Sequence, residues 1–330
     1  MHRFLMSAVA GLIFLGSTPA HAWWDFGHRL TGEIAWAQLS DSARQQLYDI
    51  LQAHPRYQED FTAAMPEEIR LGSLSQRQSW LLGRAAYWPD VARDLPDEER
   101  RRYNRSNWHY IDGALIRDRA LRQGNTYIDI SPFPDGMALP AAQLESEAQV
   151  NNILLALDYN ARVFTDADSS PADRAVALCW ILHLGGDIHQ PLHTGTAFSR
   201  LALQDGDAGG NGVPTDGDLN LHARWDGALS NRDFAATRNG LLAGIEDDPL
   251  PADAVDDWSQ WMAESRDILL GGAVYDEAVV AAIRRADASG TVIQPVTLDP
   301  DYIVAMEDIA AVRLSLAGVR LARWLEHALQ

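Results

Sequence analysis

The sequence predicts a mainly α-helical fold, gathered in a single domain over residues 23–330. Three observations predict it. Val150, Leu154, Leu157, Ala161 and Phe164 follow one another at steps of four, three, four and three, the period of one face of a helix over 143–164. Ser170-Pro171 is a helix start, with serine to cap and proline at the first helical position. It leads into residues 175–184, which are apolar all round and so belong to a buried central helix. Ile309, Val312, Leu316 and Val319 mark a last amphipathic helix.

The other elements follow in chain order. Residues 30–39 and 42–51 are two helical stretches parted by Ser40-Asp41, a capping break. Residues 124–141 and 195–219 are expected to be long loops, the second rich in aspartate and glycine. Within that second loop Asp205, Asp207, Gly210 and Asp216 loosely echo a calcium loop, but the last position is not glutamate, which favours plain loop. Residues 291–298 suggest a short extended piece, with Pro295 arguing against a central strand. No internal repeat, low-complexity tract or linker divides the chain.

The ends and the composition bound the function. Arg3, the apolar run 4–16 and Ala20-His21-Ala22 form a secretory signal peptide over 1–22, whose cleavage exposes Trp23. The mature protein is therefore expected to be secreted or periplasmic. The apolar run is too short to span a bilayer comfortably, and nothing later resembles a membrane anchor. The one cysteine, Cys179, permits no internal disulfide and is expected to be a buried small hydrophobe. The formal charge is −19 and the chain has no lysine. A duplex-groove binder needs a basic face that this composition does not supply. An acidic protein can still take phosphate where metal ions supply the positive charge locally.

The histidines carry the chemistry. His183-Leu-Gly-Gly-Asp187 and His222-Ala-Arg-Trp-Asp226 each place an imidazole and a carboxylate at i, i+4, on one face of a helix, as metal ligation requires. His193 follows the first pair. Upstream lie Trp23-Trp-Asp-Phe-Gly-His28, Trp88-Pro-Asp90 and Trp108-His109-Tyr110-Ile-Asp112. His54, His189 and His327 are left as ordinary histidines; His189, two residues beyond Asp187, points away from the cluster on a helix.

In this order and with these spacings the motifs resemble those of the secreted zinc-dependent type I nucleases, the nuclease S-one/P-one family. The resemblance runs through the mature chain, with its motifs between Trp23 and Asp226. It implies a mainly helical domain with three zinc ions at the bottom of a cleft, as in the structurally related zinc phospholipase C. The implied activity is cleavage of single-stranded DNA and RNA to 5′-mononucleotides and removal of 3′-phosphate from nucleotides. It implies that Asp90, His109, His183 and Asp187 hold one zinc. Trp23, through its amino nitrogen and carbonyl oxygen, would hold a second with His28 and the bridging Asp187. His193, His222 and Asp226 would hold a third, more open one. Hydroxide shared by two ions would attack phosphorus in line. A free α-amino group loses its proton cheaply near neutral pH, so signal cleavage would create a ligand.

By the same resemblance Arg93 and Asp112 form a charged pair beside the scissile phosphate. Tyr110 lies near the bound base or else in the core, and Asn211 contacts the nucleotide. Fungal and plant members carry disulfides, so a chain with one cysteine points to a bacterial member. Asn104-Arg-Ser106 fits the glycosylation pattern. No protein partner is evident. Two alternatives stay open: a zinc phospholipase C, which places glutamate where this chain has Asp226, and a non-catalytic zinc-binding protein.

Overall fold

Side-chain caps start most of the helices. The computed structural model describes residues 23–112, 114–116, 119–129, 147, 150–250 and 257–330. The expected signal peptide lies outside them. α1 (Asp25–Gln38) ends at Leu39, and the Ser40 hydroxyl then accepts from Ala43 N to open α2 (Asp41–Gln52), at the expected capping break. α3 (Glu67–Arg70) is one turn. α4 (Leu74–Val91) begins with a reciprocal box between Ser73 and Gln76 and carries Asp90 in its last turn. α5 (Asp97–Tyr103) follows.

α6 (Ile153–Thr165) starts at Asn152, whose side chain accepts from Leu155 N. The expected helix over 143–164 is thus shorter at its front. Its residues 143–146, 148 and 149 lie outside the described ones. α7 (Pro171–Asp187) is the buried central helix, with every residue from Ala177 to Asp187 inside. It packs against α1, α2, α4 and α6 and against the last helix, α12 (Pro300–Ala328). Cys179 is fully buried there.

Between and after these lie α8 (Leu221–Asp226), α9 (Phe234–Asp247), α10 (Trp258–Leu270) and α11 (Glu277–Ser289). Each expected loop contributes one short strand, and residues 130–141 of the first lie outside the described ones. β1 (Ala114–Ile116) pairs antiparallel with β2 (Arg119–Gln123). β3 (Asn125–Ile128) pairs parallel with β4 (Thr196–Ser199), joining the two segments expected to be loops. Four-residue ladders lack the length that makes alternation visible. The 291–298 piece contributes one parallel bridge, Thr215 with Val296.

One stripe needs correction. Val312 is 54% exposed, and the first half of α12 buries Tyr302, Met306, Ala310 and Leu314 instead. These residues and Leu30 of α1 belong to one apolar cluster, while Trp36, Leu39 and Leu321 belong to another. α1 and α12 therefore bridge both clusters. Close helix contact depends on glycine. A Cβ on Gly32 would lie 2.7 Å from Leu82 O, so α1 and α4 touch backbone to backbone.

Candidate metal centre and cleft

Four helices and two connecting segments deliver the ligand candidates to one place. α1 brings His28, α4 Asp90, α7 His183 and Asp187, and α8 His222 and Asp226. Asn220 caps α8 by accepting from Ala223 N, which sets His222 and Asp226 one turn apart on its inner face. Trp88 anchors the end of α4 by donating to Asp60 Oδ2 at 2.8 Å. His109 and His193 lie outside the α-helices and are stitched together. His193 Nδ1 donates to His109 O at 2.6 Å, and Ile111 N donates to His193 O at 2.8 Å.

All eight of these residues are at most 3% exposed. Their donor atoms fall into three groups, each within 4.8 Å: His28, Asp90 and His183; His109, His183 and Asp187; His193, His222 and Asp226. Asp187 belongs to the second group and also reaches His28 of the first. Its Oδ1 is 3.3 Å from His28 Nε2, while its Oδ2 is 3.1 Å from His109 Nδ1 and 3.3 Å from His183 Nε2. One oxygen on each side is what a bridging carboxylate needs. Asp90 reaches toward both histidines, 3.9 Å from His28 and 3.8 Å from His183. In the third group His222 Nε2 lies 3.2 Å from Asp226 Oδ2, and His193 Nε2 lies 3.9 Å from Asp226 Oδ1.

The donor set fits divalent metal. His183, His193 and His222 each give one ring nitrogen to a backbone carbonyl, of Ala86, His109 and Gly209 respectively. That fixes the tautomer and aims the other nitrogen at the cluster. His109 Nε2 and His193 Nε2 are buried with no hydrogen-bond partner among the described residues. Electrostatics agree. Burial pushes Asp90 up to about 7 against the pull of Arg93, and burial plus the neighbouring Asp90 pushes Asp187 well above the carboxylate range. Burial, then Arg93 and the other imidazoles, hold His109 well down; burial and His222 do the same for His193. Burial also works against a charge on His222, but Asp226 outweighs it and raises that ring. A bound cation would keep the carboxylates ionised and the imidazoles neutral, relieving all these costs together. Nitrogen and oxygen donors of this kind suit zinc.

Over the cluster opens a cleft of about 630 Å³. Arg93, His109, Tyr110, Asp112, His193, Asn211 and His222 line it. Tyr110 is 41% exposed, which settles its alternatives in favour of the cleft over the core. Arg93 Nη2 lies 2.8 Å from Asp90 Oδ1. Asp112 is raised by burial and by Asp207, with Arg266 as the opposing positive charge. The structure thus puts both members of the expected pair on the cleft wall, with Arg93 beside Asp90, a ligand candidate. Asn211 donates to Ala208 O and accepts from Asn220. The Trp23 ring is buried and donates to Gly186 O at 3.0 Å, one residue before Asp187. Gly186 lets α1 approach, because a Cβ there would meet His28 Nδ1 at 3.2 Å.

A family model described as S1/P1 Nuclease matches residues 23–330. The chain belongs to the S1/P1 nuclease family. It is 24% identical to Endonuclease 2 of Arabidopsis thaliana over 333 residues, 98% of this chain and 96% of that protein. It is 29% identical to Endonuclease 4 of the same plant over 157 residues, 45% of this chain and 49% of that protein. This S1/P1 nuclease is accordingly a hydrolase acting on nucleic acid, of a metal-dependent family. Among its described residues no helix is long and apolar enough to cross a membrane.

The structure of this S1/P1 nuclease adds residues that the motifs did not reveal. Gln190, fully buried between Asp187 and His193 in sequence, donates to Asp226 Oδ1 at 2.7 Å and accepts from Leu192 N at 2.6 Å. Its signal was its position inside the HxxxDxxxxxH stretch. Arg313 and Arg320 brace the turn after Asp187. Arg313 Nε donates to His189 O, and Arg320 Nη1 donates to His189 Nε2 at 3.1 Å. Glu264 of α10 receives both guanidinium groups, at 2.7 Å from Arg320 and 3.1 Å from Arg313. Ser265 Oγ closes the brace by donating to Ile188 O. His189 is therefore structural, as expected. Two arginines seven apart within a mostly apolar stretch of α12 were the available signal. Asp207 is structural too. It accepts from Thr196 and Tyr275 and holds the loop that carries Gly209 and Asn211.

Proposed function

We propose that the protein is a zinc-dependent phosphoesterase that cleaves single-stranded DNA and RNA to 5′-mononucleotides and removes 3′-phosphate from nucleotides. The observation that carries this reading is Asp187, fully buried, with one oxygen toward His28 and the other toward His109 and His183. Three ions are assigned. Asp90, His109, His183 and Asp187 would hold the first, and His28, Asp187 and the amino and carbonyl groups of Trp23 the second. His193, His222 and Asp226 would hold the third. Zinc supplies, when bound, Lewis-acid polarisation of phosphate oxygens and a nucleophile from water at neutral pH.

The chain's own groups do the rest. Arg93, placed on Asp90 at the cleft wall, can turn its planar fork to the scissile phosphate. Asp112 orients the phosphate-binding groups from the same wall. Tyr110 offers an exposed ring on which any base can stack, worth about 1–3 kcal/mol per base. Asn211 contacts the nucleotide from the opposite loop. A base platform of this kind needs an unpaired base, which supports the single-strand preference. Residues 1–22 are assigned to export, with maturation after Ala22 creating the Trp23 amino ligand.

The test is product analysis. The mature enzyme, incubated with a single-stranded oligonucleotide, its duplex and a 3′-nucleotide, should yield 5′-mononucleotides from the single strand and inorganic phosphate from the 3′-nucleotide. Phosphocholine release without nucleotide products would establish a phospholipase C instead. A zinc-loaded protein inert on every phosphoester would establish a non-catalytic metal protein.

A further inference from the structure

The segment between Asp90 and His109 does more than connect two ligands. It folds as α5, and Arg100 on that helix is followed one turn later by Asn104, whose N–H donates to Arg100 O at 2.9 Å. Residues four apart share a helix face. Both side chains, with that of Ser106, line the same cleft as Arg93 and His109. The formal charge of −19 makes each exposed cation over this cleft important for a polyanion. Asp94 and Asp112 also line it, so its walls alone carry no excess of positive charge.

The two cleft arginines are placed differently. Arg93 is only 10% exposed and lies against Asp90, a ligand candidate. Arg100 is 49% exposed, and its partner Asp97 is 75% exposed at 2.6 Å. A surface pair of that kind is worth little and yields readily to a phosphate. The end of α5 would repel an anion through its free carbonyls. Arg105 offsets part of this by donating to Arg101 O at 3.1 Å and Asn104 O at 2.9 Å, while its charge is shared with Glu147 at 2.6 Å.

Asn104 provides the independent sign of a ligand. Its Oδ1 is buried and has no hydrogen-bond partner among the described residues. A buried polar atom left this way is unfavourable unless something donates to it. An amide oxygen is an acceptor, so its complement is a hydroxyl or an N–H and not a phosphate oxygen. The Arg100 guanidinium and the Ser106 hydroxyl are donors suited to phosphate. Donors and acceptor together match one nucleotide unit, its phosphate on Arg100 and Ser106 and its sugar hydroxyl or base N–H on Asn104.

We propose that Arg100, Asn104 and Ser106 form a second nucleotide subsite on the cleft wall, taking the phosphate and nucleoside next to the phosphodiester being cleaved. This rests on the nuclease reading of the metal centre and deepens it. The subsite makes the enzyme favour oligonucleotides over mononucleotides. It also makes Asn104 a substrate contact, whereas a glycan at Asn104-Arg-Ser106 would obstruct the cleft.

The experiment compares a deoxythymidine trinucleotide with a 3′-mononucleotide on wild-type enzyme, Arg100→Ala and Asn104→Ala. Arg100→Ala should raise KM for the trinucleotide about tenfold more than KM for the mononucleotide. With a long oligothymidylate in place of the trinucleotide, it should also flatten the dependence of log kcat/KM on log salt by about 0.7, the loss of one phosphate contact on a single strand. Asn104→Ala should raise the trinucleotide KM selectively without changing that salt slope. Active wild-type enzyme with KM ratio and salt slope unaltered in both variants would overturn the subsite alone. A proportional loss on both substrates would assign Arg100 to the scissile phosphate and likewise overturn it. Wild-type enzyme that turned over neither substrate would remove the proposed function, and the subsite with it.

Discussion

Replacing Gln190 by leucine should empty the third metal group while leaving the other two filled. Gln190 has no exposure, and its amide donates to Asp226 Oδ1 at 2.7 Å while its carbonyl accepts from Leu192 N at 2.6 Å. Leucine has nearly the same volume, so no cavity of consequence forms. The hydrogen bond lost is to a carboxylate, worth about 1.5–3 kcal/mol. Asp226 is then free to rotate away from His222, whose Nε2 lies 3.2 Å from Oδ2. At about 1.4 kcal/mol per decade this converts to a loss of about ten- to a hundredfold in affinity at that group, the range found for partners of metal ligands elsewhere. The assay is competition with a chelator of known zinc affinity, read as bound zinc per chain alongside turnover of a single-stranded oligonucleotide. The variant should release one ion well before the others and lose turnover in step. Added zinc should restore both. An unchanged chelator curve would refute the reasoning, because it would mean that Asp226 either needs no orientation or holds no metal.

Three further outcomes are expected. Asp187→Asn removes the charge shared by two groups and should lower turnover at least about a thousandfold with the helical circular-dichroism signal kept; near-normal turnover would contradict the bridging role. Glu264→Gln should destabilise the fold by about 2 kcal/mol, since the two arginines hold the carboxyl down to about 2 and its 31% exposure screens part of that gain. A depressed carboxyl stabilises above its unfolded value, so the gap between wild type and variant in urea melts should close as pH falls from about 4.5 toward 2. His54, lowered by burial to about 3 despite Asp60, stabilises the neutral ring and must be protonated as the chain unfolds in acid. Wild type should therefore lose about 3 kcal/mol more than His54→Asn between pH 7 and pH 4, and equal losses would show the ring to be irrelevant to acid unfolding.

The ligand candidates were legible because ligation imposes residue type and spacing at once. His183 and Asp187 sit one turn apart on a helix with no polar face, and the structure buries that turn completely. The caps at Ser40 and Ser170 were legible for a similar reason, being local. What stayed hidden depends on contacts remote in sequence. β3 and β4 are four residues each and find one another across some 70 positions, with no alternation to betray them. Val312 had the right spacing but the wrong face, because the α12 stripe is set by packing on α1, α7 and α9 and not by hydropathy alone. Glu264 is an ordinary surface-type residue until Arg313 and Arg320 arrive from another helix. Arg93 lies on the cleft wall with its guanidinium against Asp90, an approach that only the three-dimensional course of the last turn of α4 decides.

The most direct test is metal content set against activity in the mature protein. Three zinc ions per chain are expected, with hydrolysis of single-stranded oligonucleotide abolished by their removal and regained on adding zinc back. Undiminished hydrolysis by the metal-free protein would contradict the account.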